Sequence, residues 1–287
     1  MPSPSAPLDA WIGRTQSADD TVALNAARRM AALLDHATAS ALHTGDSVPG
    51  SWYQILFSAS DAQSALAADG HPAKGDFLPP VPLPRRMFAG RRVRFLHALR
   101  IGDAVTRTST IQGITPKTGR SGEMCFVTVR HDIRSADGTP LIDEEQDIVY
   151  RAAPTGPAAA SARADDLPRA DAETSYLPDP PLLFRYSAIT FNAHRIHYDL
   201  PYARDVEGYP DLVVNGGLTT MRLWDWVQAH TGRPLAASRS RNLRPLFAGR
   251  PVTLRMARTA ADAVLAWAVD AEGEPAMRIE IALGAQA

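Results

Sequence analysis

The sequence predicts an α+β protein built from two tandem copies of one module, each a curved antiparallel sheet wrapped around a central helix. Three observations carry this. The blocks RFLHALRIGDAVT, from Arg94, and RNLRPLFAGRPVT, from Arg241, share Arg, Leu, Leu, Gly, Val and Thr at equivalent positions. A second pair, ADGTPL from Ala136 and AEGEPA from Ala271, follows in the same order, so the repeat extends beyond one block. Each half also holds one apolar helix candidate ahead of several strand candidates, the pattern of helix packed on antiparallel sheet. At 287 residues and 45% hydrophobic, the chain has the length of two domains of roughly 150 residues.

In the first half, Trp52, Ile55, Leu56, Ala62 and Leu66 form a helical pattern that ends before Gly70. The segments GEMCFVTVRHDI and LIDEEQDIVY read as strands joined by the tight turn ADG. The first copy is the longer, and PKTGRSG from Pro116 has the content of the extra loop. Residues 152–181, rich in Ala, Pro and Asp and without apolar periodicity, read as a linker between a domain at 1–151 and one at 182–287. The second domain starts with a strand-like run, Tyr186 to Phe191, and a compact polar turn. An apolar strand, Val213-Val214, then turns through Gly216-Gly217 into a helix carrying Leu218, Met221, Trp224 and Val227 and ending at Gly232. Start and stop signals give that helix about thirteen residues. Trp224 and Trp226 on it read as core packing. AVLAWAVDA and AMRIEIAL complete the half as strands around AEG. A helix wrapped by a curved sheet is the hot-dog arrangement, and two in tandem bury exposed strand edges by joining their sheets. The expectation is therefore a tandem (double) hot-dog fold.

Composition removes several classes of function. The 30 basic and 31 acidic residues leave a net charge of -1, with no block of like charge, which argues against nucleic acid. No apolar run approaches the roughly 20 residues that span a bilayer. The N-terminal MPSPSAPLDAWIGRT lacks the features of a secretory signal, and the cytoplasm is the expected compartment. Cys125, the single cysteine, lies in an alternating segment and reads as a buried structural thiol.

Chemistry concentrates in LFRYSAITFNAHRIHYD, residues 183–199, where Asn192, His194, Arg195, His197 and Asp199 crowd one turn. His197 is the expected base that deprotonates water. Asn192 would orient that water, since an amide hydrogen-bonds but is no base near neutral pH. Gly216 and Gly217, at a helix N-terminus with free N–H groups and a positive dipole end, would stabilise the enolate-like oxygen of a thioester. His194, Arg195, Arg185, Arg241 and Arg244 are candidate substrate-binding residues for phosphate or a carboxylate. Asp199 and Asp205 read as caps of the following segment. No metal is expected, because no Cys or third clustered His accompanies the two histidines. The first half has no counterpart of NAHRIHYD, so one site per chain is expected, where the halves meet.

This turn resembles the MaoC-like hydratase/dehydratase family, whose motif D-x-N-P-x-H precedes a His-Gly turn opening the central helix. The motif His matches His197. The Asp position falls on Asn192, the Asn on His194 and the Pro on Arg195, and the His-Gly turn reads Asn215-Gly216. These departures, with Tyr209-Pro210-Asp211-Leu212-Val213-Val214 before the turn, are similar to the branch of type 2 hydroxyacyl-thioester dehydratases and mesaconyl-C4-CoA or itaconyl-CoA hydratases. WIGRTQSADD, DGHPAKGDFLPPVPLPRRMFAGRRVRF and LRIGD extend the likeness over the first half. The resemblance implies a hydratase or dehydratase of an enoyl or 3-hydroxyacyl thioester with a short branched or dicarboxylic acyl group. It implies coenzyme A or a carrier-protein thioester as part of the substrate, no other cofactor, and leaves a homodimer open. The alternatives are a hot-dog thioesterase and a non-catalytic acyl-thioester-binding protein.

Overall fold

Ten strands form one fully antiparallel sheet in the computed structural model, which describes residues 7–37, 39–119, 122–152 and 167–285. The first half runs β1 (Thr15–Thr21), α1 (Leu24–Leu33), the two-residue β2 (Ser47–Val48), β3 (Arg85–Phe95), its short partner β4 (Leu99–Arg100), β5 (Ala104–Gly119), β6 (Gly122–Ser135) and β7 (Pro140–Arg151). The second runs β8 (Ala172–Tyr176), α2 (Pro180–Ile189), α3 (Gly216–Thr231), β9 (Leu235–Asn242), β10 (Val252–Ala260), β11 (Ala263–Val269) and β12 (Pro275–Leu283). The sheet order β1-β5-β6-β7-β3-β9-β12-β11-β10-β8 reads as the same five-stranded unit from either end. The chain therefore has the double hot-dog fold, with the halves joined edge to edge along β3 and β9.

That seam is close. Gly90 pairs with Arg241, and a Cβ there would lie 2.3 Å from the Ser240 carbonyl oxygen, so no side chain fits between the backbones. The repeat blocks behave as expected: both run from a seam strand into the next strand, and Gly138 and Gly273 take positive φ in the two tight turns. The extra length of the first copy lies in strand, not in a loop. Pro116 pairs with Cys125 and Gly119 with Gly122 in the long β5–β6 hairpin. Of the predicted loop, residues 120–121 lie outside the described residues.

Three further expectations are corrected. The pattern from Trp52 to Leu66 yields only 3-10 turns, Gly50–Ile55 and Gln63–Ala65, because Leu56 is extended and Phe57 adopts φ 56°. The α-helix of that half is α1, whose buried Ala27, Met30 and Ala31 sit at helical spacing. Tyr186 to Phe191 is not a strand: Asp179 Oδ1 accepts the Leu182 N–H at 2.9 Å and Pro180 follows at the first helical position, and these start signals set α2. Within residues 152–181, positions 153–166 lie outside the described residues, and Ala172–Tyr176 is an edge strand, not linker.

α3 extends over sixteen residues, longer than expected, and ends at Gly232 in the left-handed region. It is buried on most sides: Leu218, Met221, Leu223, Trp224 and Val227 are fully enclosed. Trp224 donates its indole N–H to Ser238 Oγ at 2.7 Å and meets Phe95 edge-on at 5.5 Å, which makes it core. No helix among the described residues is long and apolar enough to cross a membrane. Cys125 is buried, and burial pushes its thiol pKa up, as befits an inert core sulfur.

Candidate active site

The end of α2 shapes the polar turn. Phe191 takes φ 49°, the Asn192 N–H donates to the Ser187 carbonyl at 2.8 Å, and Asn192 Oδ1 accepts the His194 N–H at 3.0 Å. A 3-10 turn over Arg195–His197 follows, and Asp199 Oδ1 accepts the Tyr202 N–H at 3.1 Å, capping the next turn. Asp205 lies exposed within that turn instead of capping it.

His197 is the most enclosed polar residue of the motif, 8% exposed. Its Nδ1 lies 2.7 Å from the Val213 carbonyl oxygen. A carbonyl only accepts, so Nδ1 carries the proton and Nε2 keeps a bare lone pair. Burial lowers the His197 pKa from 6.5 to about 4; the Val213 hydrogen bond opposes the shift and the nearby His71 adds to it. The ring is thus a neutral acceptor across the physiological range. The Val213 N–H donates back to the Ile196 carbonyl at 2.9 Å, so the segment leading into α3 is latched to the turn from both sides.

That segment delivers Asn215, Gly216 and Gly217 to the N-terminus of α3. Both glycines are required by space, since their φ values are ordinary. A Cβ on Gly216 would lie 2.9 Å from Asn242 Nδ2, and one on Gly217 would lie 2.3 Å from the Tyr186 hydroxyl and 3.1 Å from Gln54 Oε1. Around this helix start, three buried amides hold atoms with no hydrogen-bond partner among the described residues: both polar atoms of Asn215, Gln54 Nε2 and Asn242 Oδ1. Asn215 is 2% exposed. Unsatisfied buried polar groups are costly, and several beside free helix N–H groups make this helix start a candidate for binding a polar ligand. Burial raises the Tyr186 pKa to about 12, against the opposing charge of Arg91, so its hydroxyl remains a donor.

The first half contributes a loop that sequence reasoning did not assign. Gly70, at φ +89°, packs so closely on the motif turn that a Cβ would lie 1.9 Å from the Ala193 carbonyl oxygen. The Arg195 N–H donates to the Asp69 carbonyl at 2.9 Å and Arg195 Nη1 to the Ala68 carbonyl at 3.0 Å. This docking presents His71, whose Nδ1 is 3.0 Å from Asp69 Oδ2 and whose backbone N–H donates to Asp69 Oδ1 at 2.9 Å. The His71 ring lies 4.1 Å from that of His194, which meets His197 edge-on at 5.4 Å. Burial first, then His71 and His197, lowers the His194 pKa to about 2. Burial opposes the charge on Asp69, but the hydrogen bonds from His71 outweigh it and hold the carboxyl below its usual range. One donor atom from each of Asp69, His71 and His194 lies within 4.8 Å of the others. The third clustered histidine, thought absent from the sequence, is therefore present, and it comes from the other half. The signal available was DGHP, an Asp and a His flanking a turn glycine.

The expected substrate arginines do not converge here. Arg195 is held by Asp199 at 2.7 Å and lies 4.1 Å over the Tyr202 ring. Arg244 pairs with Asp270 and Glu274, at the β11–β12 turn, at 3.4 Å each. Arg185 is exposed on α2 and Arg241 exposed near the end of β9. Arg86, on β3, is near enough to His194 for its charge to disfavour the imidazolium. A surface depression of about 700 Å³ over the seam is lined by Arg92, Glu145, Arg239 and Arg278 and by no residue of the turn; the absence of any acid–base group of the motif sets it apart from the site.

Fold and site together define the class: a double hot-dog protein with a neutral buried histidine beside a glycine-opened helix, the hydratase/dehydratase type of hot-dog protein. A family model described as hydroxyacyl-thioester dehydratase type 2 matches residues 52–248. The chain is 45% identical to the mesaconyl-C(4)-CoA hydratase of Chloroflexus aurantiacus, over 98% of this chain and 99% of that enzyme. Among solved structures, a MaoC-like dehydratase superposes with a TM-score of 0.73 at 15% identity, covering 96% of this chain and 99% of the other. A double-hotdog protein of Mycobacterium tuberculosis superposes with a TM-score of 0.60 at 16% identity, covering 98% of each. The chain belongs to the type 2 hydroxyacyl-thioester dehydratase family and is a hydro-lyase.

Proposed function

We propose that the chain hydrates mesaconyl-C4-CoA or a closely similar short dicarboxylic enoyl-CoA, with His197 as base. The observation that carries this reading is the hydrogen bond from His197 Nδ1 to Val213, which leaves Nε2 bare beside the segment that opens α3. The thioester oxygen meets the N–H groups of Gly216 and Gly217, the developing-charge site that oxyanion donors serve. Water gives a proton to His197 Nε2 as its oxygen bonds to the β-carbon, and the double-bond pair moves onto the thioester oxygen as an enolate. The protonated His197 then returns its proton to the α-carbon, so addition is syn. Asn192 holds the turn, its Oδ1 being committed to the His194 N–H. Arg86, whose charge reaches His194, is the arginine assigned to a substrate carboxylate. No metal or separate cofactor enters the scheme. Full-length identity of 45% to a mesaconyl-C(4)-CoA hydratase supports the substrate.

The test is a panel of crotonyl-, mesaconyl- and itaconyl-CoA followed by loss of enoyl absorbance and by thiol release. Loss of the enoyl band on mesaconyl-CoA without free thiol is the expected result. Free coenzyme A without hydration identifies a thioesterase, and tight binding without turnover a carrier.

A further inference from the structure

We propose that His71, from the first half, is a second catalytic residue that orients the attacking water, and that Asp69 is the positioning residue that fixes its tautomer. This rests on the hydration reading above. An attacking water has two hydrogens: one passes to His197 Nε2, and the other stays in the new hydroxyl and needs an acceptor to aim the oxygen at the β-carbon. Asn192, the residue whose place in the motif suits that task, spends its Oδ1 on the His194 N–H. That oxygen keeps one further lone pair, in a direction the turn fixes, and the other side-chain atom of Asn192 is a donor; a ring nitrogen from the facing loop is the additional group that can hold the water.

The docked loop supplies one. The Asp69 carboxyl is held below its usual range, so the contact of its Oδ2 with His71 Nδ1 at 3.0 Å is donated by the ring, and Nε2 is the ring nitrogen left to meet water. This is the logic by which a carboxylate sets the tautomer of a catalytic imidazole. The same carboxylate accepts the His71 backbone N–H, which fixes the ring's origin as well as its tautomer. The rings of His71, His194 and His197 follow one another at 4.1 and 5.4 Å. The three imidazoles thus form a row that crosses the join between the halves and brings His71 up against the motif turn. His71 is held there by Gly70, whose lack of a Cβ lets the loop rest on the Ala193 carbonyl, and by two hydrogen bonds from Arg195. The halves are thus catalytically interdependent: one provides the base and the oxyanion donors, the other the acceptor that aims the water.

A double-mutant cycle tests it. His71→Gln, Asp69→Asn and the double variant are compared with the wild type on mesaconyl-CoA, with thermal melting as the check on folding. His71→Gln is expected to lower kcat about a hundredfold with little change in KM, the cost of a misplaced reactant. Asp69→Asn presents an amide that donates to Nδ1 and selects the wrong tautomer, so kcat falls comparably. If Asp69 acts only through His71, Asp69→Asn costs nothing further in the His71→Gln background. Additive losses in the cycle, or a Gln variant with wild-type kcat, overturn the proposal. Loss of wild-type activity on chelation, restored by added zinc, also overturns it, because the same three residues would then be holding a cation. If the wild type hydrates no enoyl thioester, the hydration reading falls with it; if only the cycle fails, hydration by His197 stands and the assignment of His71 does not.

Discussion

Replacing Gly70 by alanine isolates the contact that brings the two halves to one site. Two costs arise from the geometry. The backbone holds φ +89°, a conformation that costs a side-chain-bearing residue about 1–3 kcal/mol. The new methyl would also sit 1.9 Å from the Ala193 carbonyl oxygen, so the loop must retreat by more than an ångström. That retreat breaks the Arg195 hydrogen bonds to Asp69 and Ala68, each worth about 1 kcal/mol net. The expected destabilisation is about 3–5 kcal/mol, or, if the loop detaches to relieve it, the loss of a positioned His71. Turnover falls in either case, by about a hundredfold for an ångström of misplacement. Gly273→Ala is the matched control: its φ is +85° but its Cβ would meet nothing within 4 Å, so it carries the strain term alone. Urea denaturation and initial rates on mesaconyl-CoA, run on both variants, separate the two costs. A Gly70→Ala protein no less stable than Gly273→Ala, with undiminished turnover, would refute the docking role of this loop.

Four other outcomes follow from the site. His197→Ala should lose the whole general-base contribution, about a hundred- to ten-thousandfold in kcat; near-normal rates in a folded variant would remove His197 as the base. Gly216→Pro keeps a residue tolerated at the first helical position but deletes one N–H, and should cost on the order of a hundredfold in turnover, compared with Gly216→Ala, which makes the same Cβ contact with Asn242 and keeps the N–H. Asn192→Asp retains the acceptor for the His194 N–H and should therefore fold and keep part of its activity, with a new pH dependence measured in the rate profile; an unfolded product would contradict the turn assignment. Acid should destabilise the protein through His197. Its folded pKa of about 4 lies below the ordinary 6.5, so the unfolded chain takes up the proton first. The stabilisation is complete above about pH 6.5 and is lost as pH falls towards 4, on the order of 3 kcal/mol in all. His197→Gln should flatten that part of the curve, and urea midpoints at pH 7 and 5 that fall equally in both proteins would count against the shift.

Much of this architecture was legible because its determinants are local or repeated. The Arg94 and Arg241 blocks revealed two modules, the period-two runs placed β6, β7, β11 and β12, and Gly216-Gly217 ahead of Leu218, Met221 and Trp224 located α3. The segment from Asn192 to His197 stood out as the candidate site by its density of polar groups and its resemblance to a known motif. Where local signals competed, the stronger one was undervalued: Asp179 and Pro180 outweigh the β-branched and aromatic character of Tyr186 to Phe191 and make α2 a helix. In the first half, the place of a central helix is taken by the 3-10 turn Gly50–Ile55, packed against α3, with Tyr53 6.5 Å from Trp224.

The sequence by itself determined the double hot-dog plan and the hydro-lyase class and singled out His197 as the candidate base, since each depends on a repeated block or on residues near one another in the chain. Only the tertiary structure decided what surrounds that histidine. Asp69 and His71 stand more than a hundred residues before His197, and no spacing rule links them; they meet because a glycine with no Cβ lets one backbone rest on another. The arginines were misjudged for the same reason. A guanidinium's partner is set by what folding brings within about 4 Å, and folding gave Arg195 to Asp199 and Arg244 to the β11–β12 turn.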